Sequence, residues 1–165
     1  MADQPTLHLL CGRIASGKST LATELGHGPR TVVIREDDWL QELYGAELTS
    51  MRNYMRRAGQ FRGVVEPHVA DLLTAGASVV LDFQANTVEA RGWLRGLLMG
   101  TNATHVLHVL DVPEEVCLER LRARNKEGFH PFAVTEDQFR QVSRHFVPPA
   151  PEEGFVIEVH PAPAR

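Results

Sequence analysis

The chain has 165 residues, 43% of them hydrophobic and 23% charged, with a formal net charge of −4. That length suits one core, so a single domain over 1–165 is expected, and the composition is that of a folded protein, not a disordered one. The negative balance argues against a protein held to nucleic acid by overall charge. Cys11 and Cys117 are far apart and lack ligand spacing, which speaks against a disulfide framework or a zinc site. The eight histidines show neither H-E-x-x-H nor a ligand cluster along the chain, so a metal site built on histidine is not expected. The start, "MADQPTLHLL", lacks a basic segment followed by a long apolar run, and a cytoplasmic protein without membrane attachment is the expectation.

The first element is the apolar run "TLHLLC" (6–11), which reads as a buried strand. It stops at Gly12, and Gly12-Arg13-Ile14-Ala15-Ser16-Gly17-Lys18-Ser19 fits G-x-x-x-x-G-K-[ST] completely. A helix is expected over 18–26. A loop between strand and helix that wraps a polyphosphate needs glycines where a Cβ would block close approach, and unpaired N–H groups at the helix start. The motif therefore assigns Gly12, Arg13, Ala15, Ser16, Gly17, Lys18, Ser19 and Thr20 to nucleotide binding. Lys18 is expected to reach the β and γ phosphates, Ser19 to hold Mg²⁺, and Thr20 to contact the α phosphate.

A second strand, "TVVI" (31–34), leads into "REDDW" and an expected helix over 38–44. In an open parallel sheet the carboxyl ends of strands face the ligand, so Asp37 is a candidate general base. Asp37 and Asp38 could instead cap the helix at Trp39 and meet its dipole, Asp38 more readily than Asp37. An irregular helical stretch is expected from about 47 to 75, kinked or broken at Pro67. It carries Arg52, Arg56, Arg57 and Arg62, a cluster that reads either as a receptor for an anionic substrate or as an exposed helix face.

The third strand, "ASVVLDF" (77–83), ends in Asp82, placed to meet Mg²⁺ through water. Asn86 and Arg91 follow and are candidate substrate contacts, Asn86 serving equally as a turn or cap residue. A helix over 87–99 and a strand over 104–112 come next. The helix over 113–124 carries Arg120 and Arg124 at i and i+4 on one face, suited to charge on a transferring phosphoryl group or to surface ion pairs, while Arg122 points elsewhere. "NKEGFHPF" (125–132) reads as part of a cover over about 120–134 in which His130 stands out. A helix over 135–145, a strand over 155–159 and a loose tail over 160–165 complete the chain. Strands alternating with helices imply an α/β fold on a parallel sheet.

These segments resemble the small P-loop kinases that phosphorylate a hydroxyl group, among them chloramphenicol phosphotransferase, shikimate and gluconate kinases and the 5′-kinase domain of polynucleotide kinase. "GRIASGKST" is similar to their phosphate loop, and "REDDW" to the acidic segment after strand two, whose first aspartate, here Asp37, acts as base in the antibiotic and polynucleotide kinases. "VVLDF.ANT....R" and "ERL..RN" resemble the strand-end aspartate region and the arginine-bearing lid helix of bacterial ATP-binding proteins in the same group. The resemblance spans roughly residues 6–154. It implies a three-layer αβα sandwich with a five-stranded parallel sheet in the order 2-3-1-4-5, a helical lid over ATP, and use of Mg²⁺. There is no D-x-D segment as in shikimate kinase, and Trp39 follows the acidic pair where polynucleotide kinase has a different aromatic.

The reading is an ATP-dependent phosphotransferase acting on a hydroxyl of a small molecule. Asp37, Lys18, Arg120 and Arg124 carry the catalysis, Ser19 and Asp82 place the metal, and Asp38, Arg52, Arg56, Asn86 and Arg91 are the candidate substrate residues. A nucleic-acid 5′-hydroxyl kinase and a non-kinase ATP-dependent switch are the alternatives. The acceptor and the oligomeric state are left open.

Overall fold

The computed structural model describes residues 4–128 and 133–162. Strands β1 (Thr6–Cys11), β2 (Thr31–Arg35), β3 (Ser78–Asp82), β4 (Thr104–Asp111) and β5 (Ile157–Pro161) form one sheet in the order β2-β3-β1-β4-β5. Every neighbouring pair is parallel, as the 2-3-1-4-5 expectation required. The helices are α1 (Lys18–Leu25), α2 (Glu36–Tyr44), α3 (Met51–Thr74), α4 (Val88–Gly96), α5 (Glu114–Glu127) and α6 (Glu136–Ser143).

Side chains alternate across the pleat, so the consecutive apolar residues of the central strands must be covered on both faces. On one face Leu7, Leu9, Val79 and Leu81 join Phe61, Val65, Val69 and Leu73 of α3 and Leu94 of α4. On the other, Leu10 and Val80 meet Ala22 of α1, while Leu110 and Val112 pack with Cys117 and Leu121 of α5 and Phe139 of α6. Each fully buried leucine adds about 1.5–3 kcal/mol relative to exposure, which locks the strand ends on which the site is built. Cys11 and Cys117 are both fully buried, and burial pushes both thiols up, as suits packing groups.

Three boundaries differ from expectation for local reasons. The second strand passes into α2 with no connecting residue, so the helix starts at Glu36, not at residue 38. Helix α3 runs unbroken through Pro67. Gly63, whose carbonyl loses its helical donor, and Pro67 both lie on the exposed face, where the unpaired carbonyl is open to solvent and not buried. Strand β5 begins two residues late, because Gly154 turns the chain at φ 70° and Val156 donates its N–H to the His105 ring before pairing starts. The strand then continues to Pro161, and Ala162 N–H donates to Asp111 O at 3.3 Å. Residues 160–162, expected as a loose tail, are therefore part of the sheet edge, where a proline is tolerated. Residues 129–132, including His130 and part of the expected cover, and 163–165 lie outside the described residues.

Candidate active site

Beyond the ends of β1, β2 and β3 opens a cleft of about 700 Å³. Its lining includes Ala15, Ser16, Gly17, Lys18, Ser19 and Thr20 of the glycine loop, Glu36 and Asp37 from the first turn of α2, and Asp82 at the end of β3. Arg120 and Arg124 of α5 complete the polar wall. This is the position the topology dictates for a ligand in an open parallel sheet.

The loop is held in a shape few sequences adopt. Ala15 and Gly17 have φ of 61° and 106°, left-handed values that turn successive N–H groups toward one side. A Cβ on Gly12 would lie 2.6 Å from Ser16 Oγ and 3.1 Å from Leu110 Cβ, so the loop closes only over a glycine. Asn86 secures it from β3's side: its amide oxygen accepts from Gly12 N–H at 2.8 Å, and its amide nitrogen donates to Gly12 O at 2.9 Å. Lys18 Nζ donates to Gly12 O at 2.6 Å and Arg13 O at 2.8 Å. Desolvation lowers its ammonium to a pKa of about 8, the largest influence acting on it. Arg120 donates to Ser16 O at 3.2 Å, tying α5 to the loop.

The buried Ser16 Oγ and Arg124 Nε have no hydrogen-bond partner. Unpaired buried donors are costly, and both border the cleft. They fit a bound polyanion. The Asp82 carboxylate accepts from the Ser19 hydroxyl and lies 3.9 Å from Arg35 Nε; burial pushes its pKa up against these pulls. A hydroxyl beside a carboxylate is the hard-oxygen pair suited to Mg²⁺.

Asp37 Oδ1 accepts from the Tyr54 hydroxyl at 2.8 Å, which leaves Oδ2 for another donor. Burial, then Asp37, drive the Tyr54 pKa upward, so the phenol stays protonated and keeps donating. Glu36 is only 4% exposed and receives a two-pronged hydrogen bond from Arg62, at 2.7 and 3.2 Å. Burial raises the Glu36 pKa despite this partner. Arg62 also lies 5.2 Å over the Trp93 ring.

Several expected roles are corrected by placement. Arg91 is fully buried: its guanidinium holds Glu153 at 2.7 and 2.8 Å and donates to the carbonyls of Ala85 and Val147, so it has no face toward a substrate. Asn86 is likewise committed to the loop. Asp38, Arg52 and Arg56 are exposed and are not among the residues lining the cleft. Asp38 sits in the first turn of α2, where its charge meets the helix dipole. The Arg13 side chain turns away to lie 4.6 Å over Phe146 and 3.8 Å from Glu114, leaving only its carbonyl in the loop's hydrogen bonding. Gly12 N–H is already taken by Asn86, so Gly12 shapes the loop.

Arg122 points off the cleft to Glu136 at 2.6 Å, as its helical position indicated. Tyr54 was missed, although it continues the stripe Ala58, Phe61, Val65 by one turn. His160 and Pro161, also in the cleft wall, were hidden by reading the C-terminal residues as a tail.

Strand, glycine loop and helix in this order, on a sheet ordered 2-3-1-4-5, define the P-loop kinase fold. Residues 7–149 match the family model for the AAA domain, and the chain belongs to that family. No curated protein matches the sequence. Among solved structures, a candidate kinase from Chloroflexus aurantiacus J-10-fl is 21% identical over 96% of this chain and 85% of its own, with a TM-score of 0.76. A chain of the Pnkp1/Rnl/Hen1 RNA repair complex is 23% identical over 86% of this chain but 43% of its own, with a TM-score of 0.66. The APS kinase CysC of Mycobacterium tuberculosis, solved with AMPPNP and APS, is 21% identical over 76% of this chain and 75% of its own, with a TM-score of 0.54. At these identities the likeness is one of fold. Among the described residues no helix is long and apolar enough to cross a membrane.

Proposed function

We propose that the protein transfers the γ-phosphoryl group of ATP to a hydroxyl of a small molecule, with Asp37 as the general base. The observation that carries this is the cleft itself. It sets Asp37, held by Tyr54, in one space with the glycine loop, Lys18, Arg120 and Arg124. Loop N–H groups and the start of α1 bind the phosphates, and Lys18 exchanges its two loop carbonyls for the β and γ phosphates. Ser19 and Asp82 would hold Mg²⁺, which when bound neutralises phosphate charge. The acceptor hydroxyl forms its bond to the γ phosphorus as the bond from phosphorus to the β–γ bridging oxygen breaks. Its proton passes to Asp37, and ADP leaves. Arg120 and Arg124 stabilise the charge spread over the group in transfer.

The acceptor end supports a small neutral molecule over a nucleic-acid strand. Among the described residues lining the cleft, the lysine and arginines are Lys18, Arg120 and Arg124, set around the phosphate loop and α5. Of these, Lys18 and Arg124 feel the charge of Asp37, and both are assigned to the phosphates; Arg62 of α3 is already neutralised by Glu36. A polyanion needs unpaired cations along its path, and Arg52 and Arg56 lie off the cleft.

The test is incubation with ATP and Mg²⁺ against panels of metabolites, hydroxylated antibiotics and oligonucleotides, read by mass for a gain of one phosphoryl group. Transfer to a small molecule supports the proposal. Transfer to an oligonucleotide 5′-hydroxyl alone assigns the nucleic-acid reading, and ATP hydrolysis with no acceptor in any panel assigns a switch.

A further inference from the structure

The sheet register gathers residues that are scattered in sequence. His108 of β4 is in register with Leu10 of β1 and Glu158 of β5, and Leu110 with His160. Positions of equal parity share a face in a parallel sheet, so His8, His108, Glu158 and His160 all stand on the α1 and α5 side.

Their polar atoms converge. His108 Nδ1 lies 3.0 Å from His160 Nε2 and 3.9 Å from one Glu158 oxygen, while His160 Nε2 lies 3.4 Å from the other. One ligand atom from each of the three residues can be chosen so that all fall within 4.8 Å of one another. Four-coordinate zinc, with bonds of about 2.0–2.2 Å, separates its ligand atoms by about 3.3–3.5 Å; the 3.4 Å from His160 to one Glu158 oxygen falls in that range, and the two imidazoles at 3.0 Å are slightly closer. Behind this cluster His8 Nδ1 lies 3.0 Å from His108 Nε2. A proton on His108 Nε2, shared with His8, leaves the Nδ1 lone pair turned toward His160 and Glu158. Such an outer partner is what orients a metal-bound imidazole.

We propose that His108, Glu158 and His160 form a binding site for a divalent transition metal, zinc foremost, with His8 as the positioning residue behind it. Two imidazoles and one carboxylate prefer Zn²⁺ or Co²⁺ over Mg²⁺, which takes oxygen ligands. Three protein ligands leave a fourth position for water. The site is separate from the Ser19 and Asp82 pair and does not depend on the kinase reading. His160 also lines the nucleotide cleft, and β5 is an edge strand with β4 as its one neighbour. A metal there staples β5 to β4 and fixes one wall of the cleft. Spacing along the chain gave no hint of it, because each strand contributes one or two ligands.

The test is titration of the tag-free full chain with Co²⁺, followed through the visible absorption of four-coordinate cobalt, then displacement by Zn²⁺ in the presence of millimolar Mg²⁺. The expected result is saturation at one ion per chain and full displacement by Zn²⁺. Glu158→Gln and His160→Ala, at exposed and half-buried positions, should keep the parent circular dichroism and lose the cobalt bands. His8→Ala should keep the stoichiometry and weaken affinity about 10- to 100-fold. Absence of saturable binding overturns the proposal. So does binding that both folded variants retain, or binding that Ser19→Ala removes, since that would place the ion at the phosphate loop.

Discussion

Glu153→Gln tests how α4 is tied to the segment that leads into β5. Arg91 is fully buried, and its only carboxylate partner among the described residues is Glu153, bound through Nε at 2.7 Å and a terminal nitrogen at 2.8 Å. Removing one partner of a buried pair costs about 3–5 kcal/mol, because the other charge stays buried. The Glu153 side chain is 15% exposed, and carbonyls of Ala85 and Val147 still face Arg91, which places the loss at the low end, about 3 kcal/mol. For a domain of this size that lowers Tm by about 6–12 °C.

The pair also sets an acid limb. The Arg91 hydrogen bonds hold the Glu153 pKa below its ordinary value. The stabilisation is therefore complete above the usual glutamate range and is lost as pH falls through the lowered native value. Urea denaturation of parent and variant at neutral and acid pH reads both effects, with stability differing at pH 7 and converging in acid. A loss under about 1 kcal/mol at unchanged m-value would refute the reasoning, since it would make the pair no better than a surface ion pair.

Asn86→Ala should raise the nucleotide Kd about tenfold, because Gly12 N–H loses its buried acceptor at a cost of about 1–3 kcal/mol and the loop loosens; calorimetric titration with an unchanged Kd would contradict this. Arg120→Ala and Arg124→Ala should each lower kcat by about 10²-fold or more with little change in ATP affinity, as for groups acting mainly on transition-state charge. Parent turnover in both would reduce them to surface charges. Tyr54→Phe removes a hydrogen bond to a charged group, worth about 1.5–3 kcal/mol, and should cut transfer about tenfold or more while the KM for ATP stays put. An equal loss in ATP binding would point to a folding defect instead.

The parts of the site legible in the sequence are those whose chemistry is local. Gly12 and Gly17 are demanded by backbone geometry within the loop, and the i, i+4 spacing of Arg120 and Arg124 by one helix, so each could be assigned without knowing its neighbours. Arg91 and Asn86 were misplaced for the opposite reason. Their partners, Glu153 and Gly12, are 62 and 74 residues away, and a polar residue after a strand looks alike whether it faces a ligand or a distant turn. The Trp39 cap reading failed because a strand can pass directly into a helix, which moved both aspartates into the first turn. The end of the chain was undervalued because proline suggested looseness, whereas Pro161 pairs in register with Asp111 at the sheet edge.

Asp37→Asn tests the central claim most directly. The change keeps side-chain size and an oxygen for Tyr54 while removing the proton acceptor, so ATP binding should match the parent. Phosphoryl transfer to the acceptor found in the panel, read by product mass at saturating ATP, should fall by about 10²- to 10⁴-fold, toward the low end if the transition state is loose. Asp38→Asn, altering an exposed residue off the cleft, should transfer at close to the parent rate. Near-parent transfer by Asp37→Asn would contradict the assignment of Asp37 as base, and loss of ATP binding in that variant would make it a nucleotide or metal ligand instead.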